Sequence, residues 1–358
     1  MSSSPSKPDT LQAETPYATT KLRIVSLLPS ITEVLAALGV ADSIVGITHE
    51  CDHPPQALRG ATVVTVSDIS PHAMTQEQIH EKVVGSLTQG NSLYGLNGEV
   101  LRSLQPDIVF TQSLCDVCAV SYPVVTSTCA KIFGGNSDND DDDASGPKIV
   151  SLEPNNLKDV METFLVAGKA LQLPPSRAQQ VVDKLQQDLD IIRQSVREHL
   201  ADNQSAKRPK VAFLEWHEPF FSGGHWIADL MEIAGCDYRM CQSGDRSAAV
   251  SDQEFQNMDP DVILIGPCGF SVDRAFADTT RLMHGGKRQW WKNMRAVQAG
   301  NVFALDGNSY YARPGPRLVQ GCGLIARCVH GEELGKLLGE DLAPTSGMRR
   351  VTLDMYEE

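Results

Sequence analysis

The sequence predicts an α/β protein of two Rossmann-like lobes with mostly parallel sheets, joined by one long helix. Three observations carry this. Residues 176–200, SRAQQVVDKLQQDLDIIRQSVREHL, contain no Gly or Pro, and Ala178, Val181, Val182, Leu185, Leu189, Ile192, Val196 and Leu200 recur at the three-and-four spacing of one helix face. The segments flanking that stretch repeat one order of motifs: LRIVSLLPSITEVLAALG from Leu22 and PDIVFTQSLCDVC from Pro106 stand before it, KVAFLEWHEPFFSGGHWIADLMEIAGC from Lys210 and PDVILIGPCGFSV from Pro260 after it. Apolar runs of strand length alternate with amphipathic stretches in both halves, the pattern of βα units.

The long stretch opens with Pro174-Pro175, and Ser176 with Gln179 has the Ser-x-x-Gln form of a capping box. At 1.5 Å per residue it makes a rod of roughly 37 Å, a strut between two bodies. The first body carries expected strands near 22–27, 44–47, 62–66, 108–112 and 148–152, with helices near 31–39, 75–89, 97–104 and 157–171. The second carries strands near 210–215, 262–266 and 302–305, with helices near 224–234, 271–284 and 315–338. Each half begins with a buried strand, a loop and a helix ending in Gly, and later has a Pro-Asp turn feeding a second buried strand.

A chain of 358 residues with 41% hydrophobic content suits two domains with ordinary cores. The expected division is a disordered tail over 1–20, a first lobe over 21–155, linking helices over 156–204, a second lobe over 205–340 and a tail over 341–358. An acidic loop over 136–146, containing SDNDDDD, interrupts the first lobe and reads as solvated. The net charge of −14 excludes the clustered basic surface of a nucleic-acid binder. The Ser-, Thr- and Pro-rich start has no apolar run of the kind a secretory signal or membrane span needs. Nine cysteines form no scaffold pattern, so reduced thiols, a cytoplasmic setting and no membrane insertion are expected.

Parallel sheets place ligands beyond the carboxyl ends of their strands, so the loops that follow the strands are where function is sought. These are rich in polar, thiol and aromatic side chains: Pro29 and Ser30 at a helix start, Glu50, Cys51 and His53 in HECDHPP, Gln112 and Cys115 in QSLCDVCAV. The second half supplies Trp216, His217, Gly224 and His225 in EWHEPFFSGGHW, Cys268 and Phe270 in GPCGF, and Tyr310, Tyr311 and Arg313 in NSYYARPGPR. If both lobes turn these loops to one cleft, the lining suits a small or medium organic ligand. Gly223-Gly224 would let backbone approach that ligand closely.

IVSLLPSITEVLAALG, the HECDHPP loop, the Ser-Gly-Gly-His-Trp segment and Arg313-Pro314-Gly315-Pro316-Arg317 together resemble the helical-backbone solute-binding proteins, most closely their cobalamin-binding branch. The likeness runs from about Leu22 to His330. It implies two α/β lobes on one long helix and a corrinoid held between them. Glu50, His53, Gln112 and Tyr310 stand where the family clamps its ligand with aromatic rings, and three of the four are polar here. The family also docks on a permease through one surface carboxylate per lobe; Glu99 matches the first and Ala312 stands at the second. The expectation is therefore intracellular binding or handover of a corrinoid, with Ala312 counting against docking on a permease.

Imidazole is a good ligand for cobalt, so His53, His217 and His225 are candidate axial ligands. Two other readings compete. His49, Glu50, Cys51, Asp52 and His53, with Cys115-x-x-Cys118, could hold a metal such as zinc; otherwise Pro54 and Pro55 hold an irregular turn in which Asp52 caps backbone groups and the thiols are buried. A Cys51–His217 pair meeting across the cleft could serve a thiolate enzyme. No P-loop, G-x-G-x-x-G, G-x-S-x-G or H-E-x-x-H occurs, so no catalytic residue is assigned. Trp290-Trp291 reads as an anchor for its own segment.

Overall fold

The computed structural model describes residues 22–67, 74–88, 93–113, 120–134, 146–202, 207–284 and 288–352. The expected tail over 1–20, the acidic run of 137–143 and Cys115 with its loop lie outside these residues.

The chain opens with β1 (Ile24–Ser26), fully buried, and turns at once into α1 (Pro29–Ala37), where Pro29 supplies a preset φ at a position whose N–H has no helical partner. There follow β2 (Ile44–Ile47), α2 (Pro55–Leu58), β3 (Thr62–Val63), β4 (Thr65–Ser67), α3 (Gln76–Thr88), β5 (Tyr94–Leu96), α4 (Gly98–Leu104), β6 (Ile108–Thr111), α5 (Tyr122–Phe133) and β7 (Lys148–Ser151). The sheet runs β3-β2-β1-β6-β7, all parallel, while β4 and β5 form a separate antiparallel ribbon with α3 as its connection. The strand expected near 62–66 is divided between β3 and β4, while β5 and α5 carry no sequence expectation of their own.

Two helices lead out of this lobe: α6 (Leu157–Ala170) and α7 (Pro175–Asp202), the latter 28 residues long. α7 contains the whole expected strut and extends it at both ends. Pro175, not Ser176, is its first residue; the Arg177 N–H reaches the Pro174 carbonyl, and Gln179 turns forward to donate to Asp183, so the expected capping box does not form. Ala178, Leu189, Ile192 and Val196 are buried, and Val181, Val182, Leu185 and Leu200 pack beside them, in one apolar cluster that draws residues from both lobes.

Beyond α7 come β8 (Val211–His217), β9 (Phe220–Ser222), α8 (Ile227–Ile233), α9 (Asp252–Met258), β10 (Val262–Ile265), α10 (Val272–His284), α11 (Arg295–Gln298), β11 (Val302–Leu305), α12 (Gly307–Tyr310), α13 (Leu318–His330), α14 (Glu332–Leu342) and β12 (Met348–Val351). The second sheet runs β12-β11-β10-β8-β9; its three middle strands are parallel and both edges antiparallel. The expected helix over 315–338 is two helices, because Gly331 at φ 97 breaks the run. The expected tail over 341–358 is corrected as well: Met348–Val351 is an edge strand, paired residue by residue with β11. Trp291 is fully buried and stacked on Phe255 at 5.6 Å, the anchoring that paired Trp implies.

The repeat seen in the sequence is physical. Gln105 and Asp259 each take a left-handed turn (φ 44 and 40) before Pro-Asp. Asp107 then accepts from the Arg23 N–H at 2.7 Å and Asp261 from the Lys210 N–H at 2.8 Å, so each turn pins β6 to β1 and β10 to β8. Both first helices end on a left-handed glycine, Gly39 (φ 75) and Gly235 (φ 70).

Candidate ligand-binding site

The carboxyl ends of β1 and β2 face the connection between α12 and α13. Arg313, only 6% exposed, leaves the second lobe and donates from Nη1 to Glu33 (3.3 Å) and Asp52, and from Nη2 to Asp52 (3.0 Å), the Glu50 carbonyl (3.0 Å) and Asn308 (2.9 Å). Arg317 grips Glu33 with two further bonds at 2.9 and 2.6 Å, and Asn308 donates to Asp52 at 2.9 Å. Glu33 is 2% exposed. A carboxylate so buried is tolerable only when paired, and the two guanidiniums pair it. Two arginines balance two acids, so the cluster holds no surplus charge. Burial pulls the Asp52 carboxyl upward, but the hydrogen bond and charge of Arg313 outweigh it and hold Asp52 below the usual carboxylate range.

A second contact joins α3 to the β8–β9 hairpin. The Gln76 side chain, 2% exposed, accepts from the His217 N–H at 3.2 Å, and its amide nitrogen lies 3.0 Å from His217 Nδ1. Arg274 donates to the Met74 carbonyl at 2.7 Å and carries its guanidinium 4.8 Å over the Phe270 ring, which packs on Trp216 at 5.4 Å. Asn308 links the two contacts, because its N–H bonds the Phe270 carbonyl. One continuous seam therefore runs between the lobes from α1 to α3. In the first-lobe wall lies a small cavity, with room for no more than a water, lined by Leu27, Pro29, Thr48, Glu50, Tyr94 and Val120.

The expected site residues divide between this seam and the interior. Pro29, Ser30, Glu50, His53, Trp216, Phe270, Tyr310 and Arg313 stand along or beside it. His53 is half-buried near Arg317 and Glu33; burial first, then the Arg317 charge, lowers its basicity. The hydrogen bond with His49 lowers the Glu50 carboxyl against the smaller, opposing pull of burial. Gln112 is buried at the end of β6, and Cys268 lies behind Glu215, whose carbonyl takes its N–H at 3.2 Å. Tyr311 is a correction: it is 3% exposed, its hydroxyl bonds the Gly321 carbonyl, and it packs on Phe213 in the core. Gly224 is another, since a Cβ there would stand 2.3 Å from Ser247 N; the close approach is to the chain's own loop.

The histidines and cysteines fare differently from one another. His217 is 1% exposed and engaged by Gln76, and burial lowers its pKa to about 4, so its ring is a neutral strut of the seam, not an open axial ligand. His225 stacks on Trp226 at 5.5 Å, with Nδ1 buried and unpartnered. Cys51 meets Thr32 at 3.2 Å and Thr48 at 3.4 Å, and burial pushes its thiol up, so the proposed Cys51–His217 pair does not assemble. Within residues 49–53, His49 bonds Thr65 and pairs with Glu50 while Asp52 bonds Arg313, and no three potential ligands converge on a metal position among the described residues.

Sequence reasoning missed Glu33, Gln76, Asn308 and Arg317. Residues 30–35 of α1 are buried all round in the structure, but the sequence near Glu33 shows no partner for it, since the guanidiniums that cover it come from the other lobe.

A family model for periplasmic binding proteins matches residues 24–308. The chain belongs to the periplasmic binding protein family. This binding protein is 22% identical over 312 residues to the uncharacterized ABC transporter substrate-binding lipoprotein YvrC of Bacillus subtilis, across 86% of its own length and 80% of the relative's. Its fold is similar to that of the periplasmic vitamin B12 binding protein of Vibrio cholerae, with a TM-score of 0.56 and 18% identity over 88% of this chain and 98% of the other. It is similar also to a periplasmic heme binding protein from Pseudomonas aeruginosa, with a TM-score of 0.60 and 18% identity over 86% and 92%. As a binding protein of the helical-backbone class, it joins two α/β lobes through α7.

Proposed function

We propose that the protein is the substrate-binding component of an ABC-type transporter and takes a corrinoid between its lobes. The observation that carries the binding reading is the seam itself: loops from the carboxyl ends of both sheets meet there, with His49, Glu50 and Tyr94 on one wall and Trp216, Phe270 and Tyr310 on the other. Polar groups for side-chain amides and aromatic faces for a macrocycle are both at hand. The motif resemblance to the cobalamin branch and the fold likeness to the vitamin B12 binding protein support the ligand class.

The relative's name, a lipoprotein that binds substrate for a transporter, supports a permease partner and counts against the cytoplasmic expectation. Glu99, exposed in the first turn of α4, is available as a docking carboxylate. Among the described residues no helix is long and apolar enough to cross a membrane. A macrocycle needs far more room than the small cavity in the first-lobe wall, so binding requires the lobes to part along the seam while α7 stays continuous. A continuous helix favours a small tilt over a wide hinge.

His53 is the proposed axial ligand. It stays neutral at pH 7 and so keeps its lone pair. Titrating the protein with cyano-, hydroxo- and adenosylcobalamin, with haem as the control, tests this by visible spectroscopy. Hydroxocobalamin, whose axial group exchanges, should bind more tightly than cyanocobalamin and shift its bands, and His53→Ala should remove the shift. Haem binding without cobalamin binding would overturn the ligand class; a shift that survives His53→Ala would overturn the axial role alone.

A further inference from the structure

α3 is not part of either main sheet. It rises from the β4–β5 ribbon, whose base forms part of the first-lobe wall: His49 bonds Thr65 at both its N–H (3.0 Å) and its ring (2.7 Å), and its ring lies 5.6 Å from that of Tyr94. The other end of the arm is fixed on the opposite lobe. Gln76 makes a two-way contact with His217, Arg274 holds the Met74 carbonyl, and His80 lies 5.9 Å from Phe221 on β9. Few side-chain amides are 2% exposed, and this one is buried by a residue of the other lobe.

The arm thus crosses from one wall to the other. Its partners on the far side are wall residues themselves: His217 follows Trp216, and Arg274 covers Phe270. At the far end of the seam, the buried ion pairs of Glu33 with Arg313 and Arg317 close the cleft with charge. At the α3 end, the contacts between the walls among the described residues include the Gln76–His217 pair, the Arg274–Met74 bond and the His80–Phe221 ring contact.

We propose that α3 is a strap across the ligand cleft, and that undocking of its first turn from His217 and Arg274 governs entry of the ligand. This rests on the reading of the seam as the ligand site. Docked, the strap holds the two walls together; undocked, it frees Trp216 and Phe270 to face an incoming ligand. Because binding parts the lobes at the seam, these bonds exist in the free protein and not in the complex, so weakening them speeds association and tightens binding.

The test uses the full chain with Gln76→Leu, which keeps bulk and loses both bonds to His217, and with Arg274→Gln, which weakens the other tie. Hydrogen exchange of the ligand-free protein should quicken in 76–80 and, together with it, in the wall segments 94–96 and 268–274, while α7 is unchanged. Stopped-flow mixing with hydroxocobalamin should show association several-fold faster in Gln76→Leu, with dissociation little changed and Kd lowered in proportion. Loosening of α3 without change in the walls would overturn the strap. An unchanged association rate with loosened walls would overturn its control of entry. A wild-type protein that binds no hydroxocobalamin sinks the corrinoid reading, and the exchange pattern then decides the strap by itself.

Discussion

Asp107 in the first lobe and Asp261 in the second each follow a left-handed residue and a proline, and each accepts from the backbone N–H that precedes its lobe's first strand, at 2.7 and 2.8 Å. Beyond the other end of the same strands the lobes part company. β1 has the parallel β2 beside it and runs directly into α1, whereas β8 folds back on itself as the hairpin with β9. The amino ends of the two sheets solve one mechanical problem in one way. The carboxyl ends, where ligand-facing loops emerge, have diverged, and the seam is made from that divergence: an acid-rich turn around Glu33 and Asp52 on one side, arginines and aromatic rings on the other.

The strongest way to break this comparison is at the seam. Glu33→Ala leaves Arg313 and Arg317 without their buried carboxylate, and loss of one partner of a buried pair costs about 3–5 kcal/mol. Urea unfolding should show it, with Glu33→Gln losing less; a loss under about 1 kcal/mol would mean that the lobes do not meet through this cluster. The helix-ending glycines sharpen the likeness next. Alanine at either must adopt a left-handed φ at roughly 1–2 kcal/mol, but a Cβ at Gly235 would also stand 2.6 Å from Val196 on α7, while at Gly39 it meets only the movable tip of Arg177. Gly235→Ala should therefore lose about 2–4 kcal/mol in the same measurement, and clearly more than Gly39→Ala.

Asp107→Ala and Asp261→Ala should each cost ~1 kcal/mol, agree within about 0.5 kcal/mol and add in the double variant. A large inequality would show that the two turns are alike in sequence only. The smallest effect is a dependence on pH. Because the Asp52 carboxyl lies lower in the folded protein than in the unfolded chain, its contribution is present above the ordinary carboxylate range and is lost as pH falls through the depressed value. Asp52 is half exposed, so under ~1 kcal/mol is involved. Denaturation midpoints from pH 6 to pH 3 should fall slightly less steeply in Asp52→Asn.

The strut and the parallel strands were legible because their signals are local: an unbroken three-and-four period, and apolar runs closed by Pro-Asp or Gly. β12 was not, since Met348-Arg349-Arg350-Val351 alternates poorly and is made a strand by β11 beside it. β9 was hidden inside a loop of mixed chemistry that becomes a hairpin only when Phe220 finds Phe255 and Trp291. For the site, residues near a strand end could be named, and Pro29, Glu50, His53, Trp216, Phe270, Tyr310 and Arg313 came out along the seam. Tyr311 could not be separated from Tyr310 by sequence, because which of two neighbouring rings turns inward depends on where Gly321 and Phe213 sit. Glu33 and Gln76 were invisible for a related reason. Each is defined by a partner more than a hundred residues away on the other lobe.

β12 also decides what the second sheet shows to other molecules. Without it, β11, Val302-Phe303-Ala304-Leu305, would be an open rim of wholly apolar strand, able to accept a strand from a second chain. In its place the rim carries two arginines, whose guanidiniums lie 3.6 Å over Phe276 and 4.9 Å over Phe303, so its charges sit on rings that would otherwise be sticky. Two such rims approaching one another bring like charges together. The last strand of the fold is thus a guard against edge-to-edge aggregation, and a copy of the chain cut short before Met348 would be the form that precipitates.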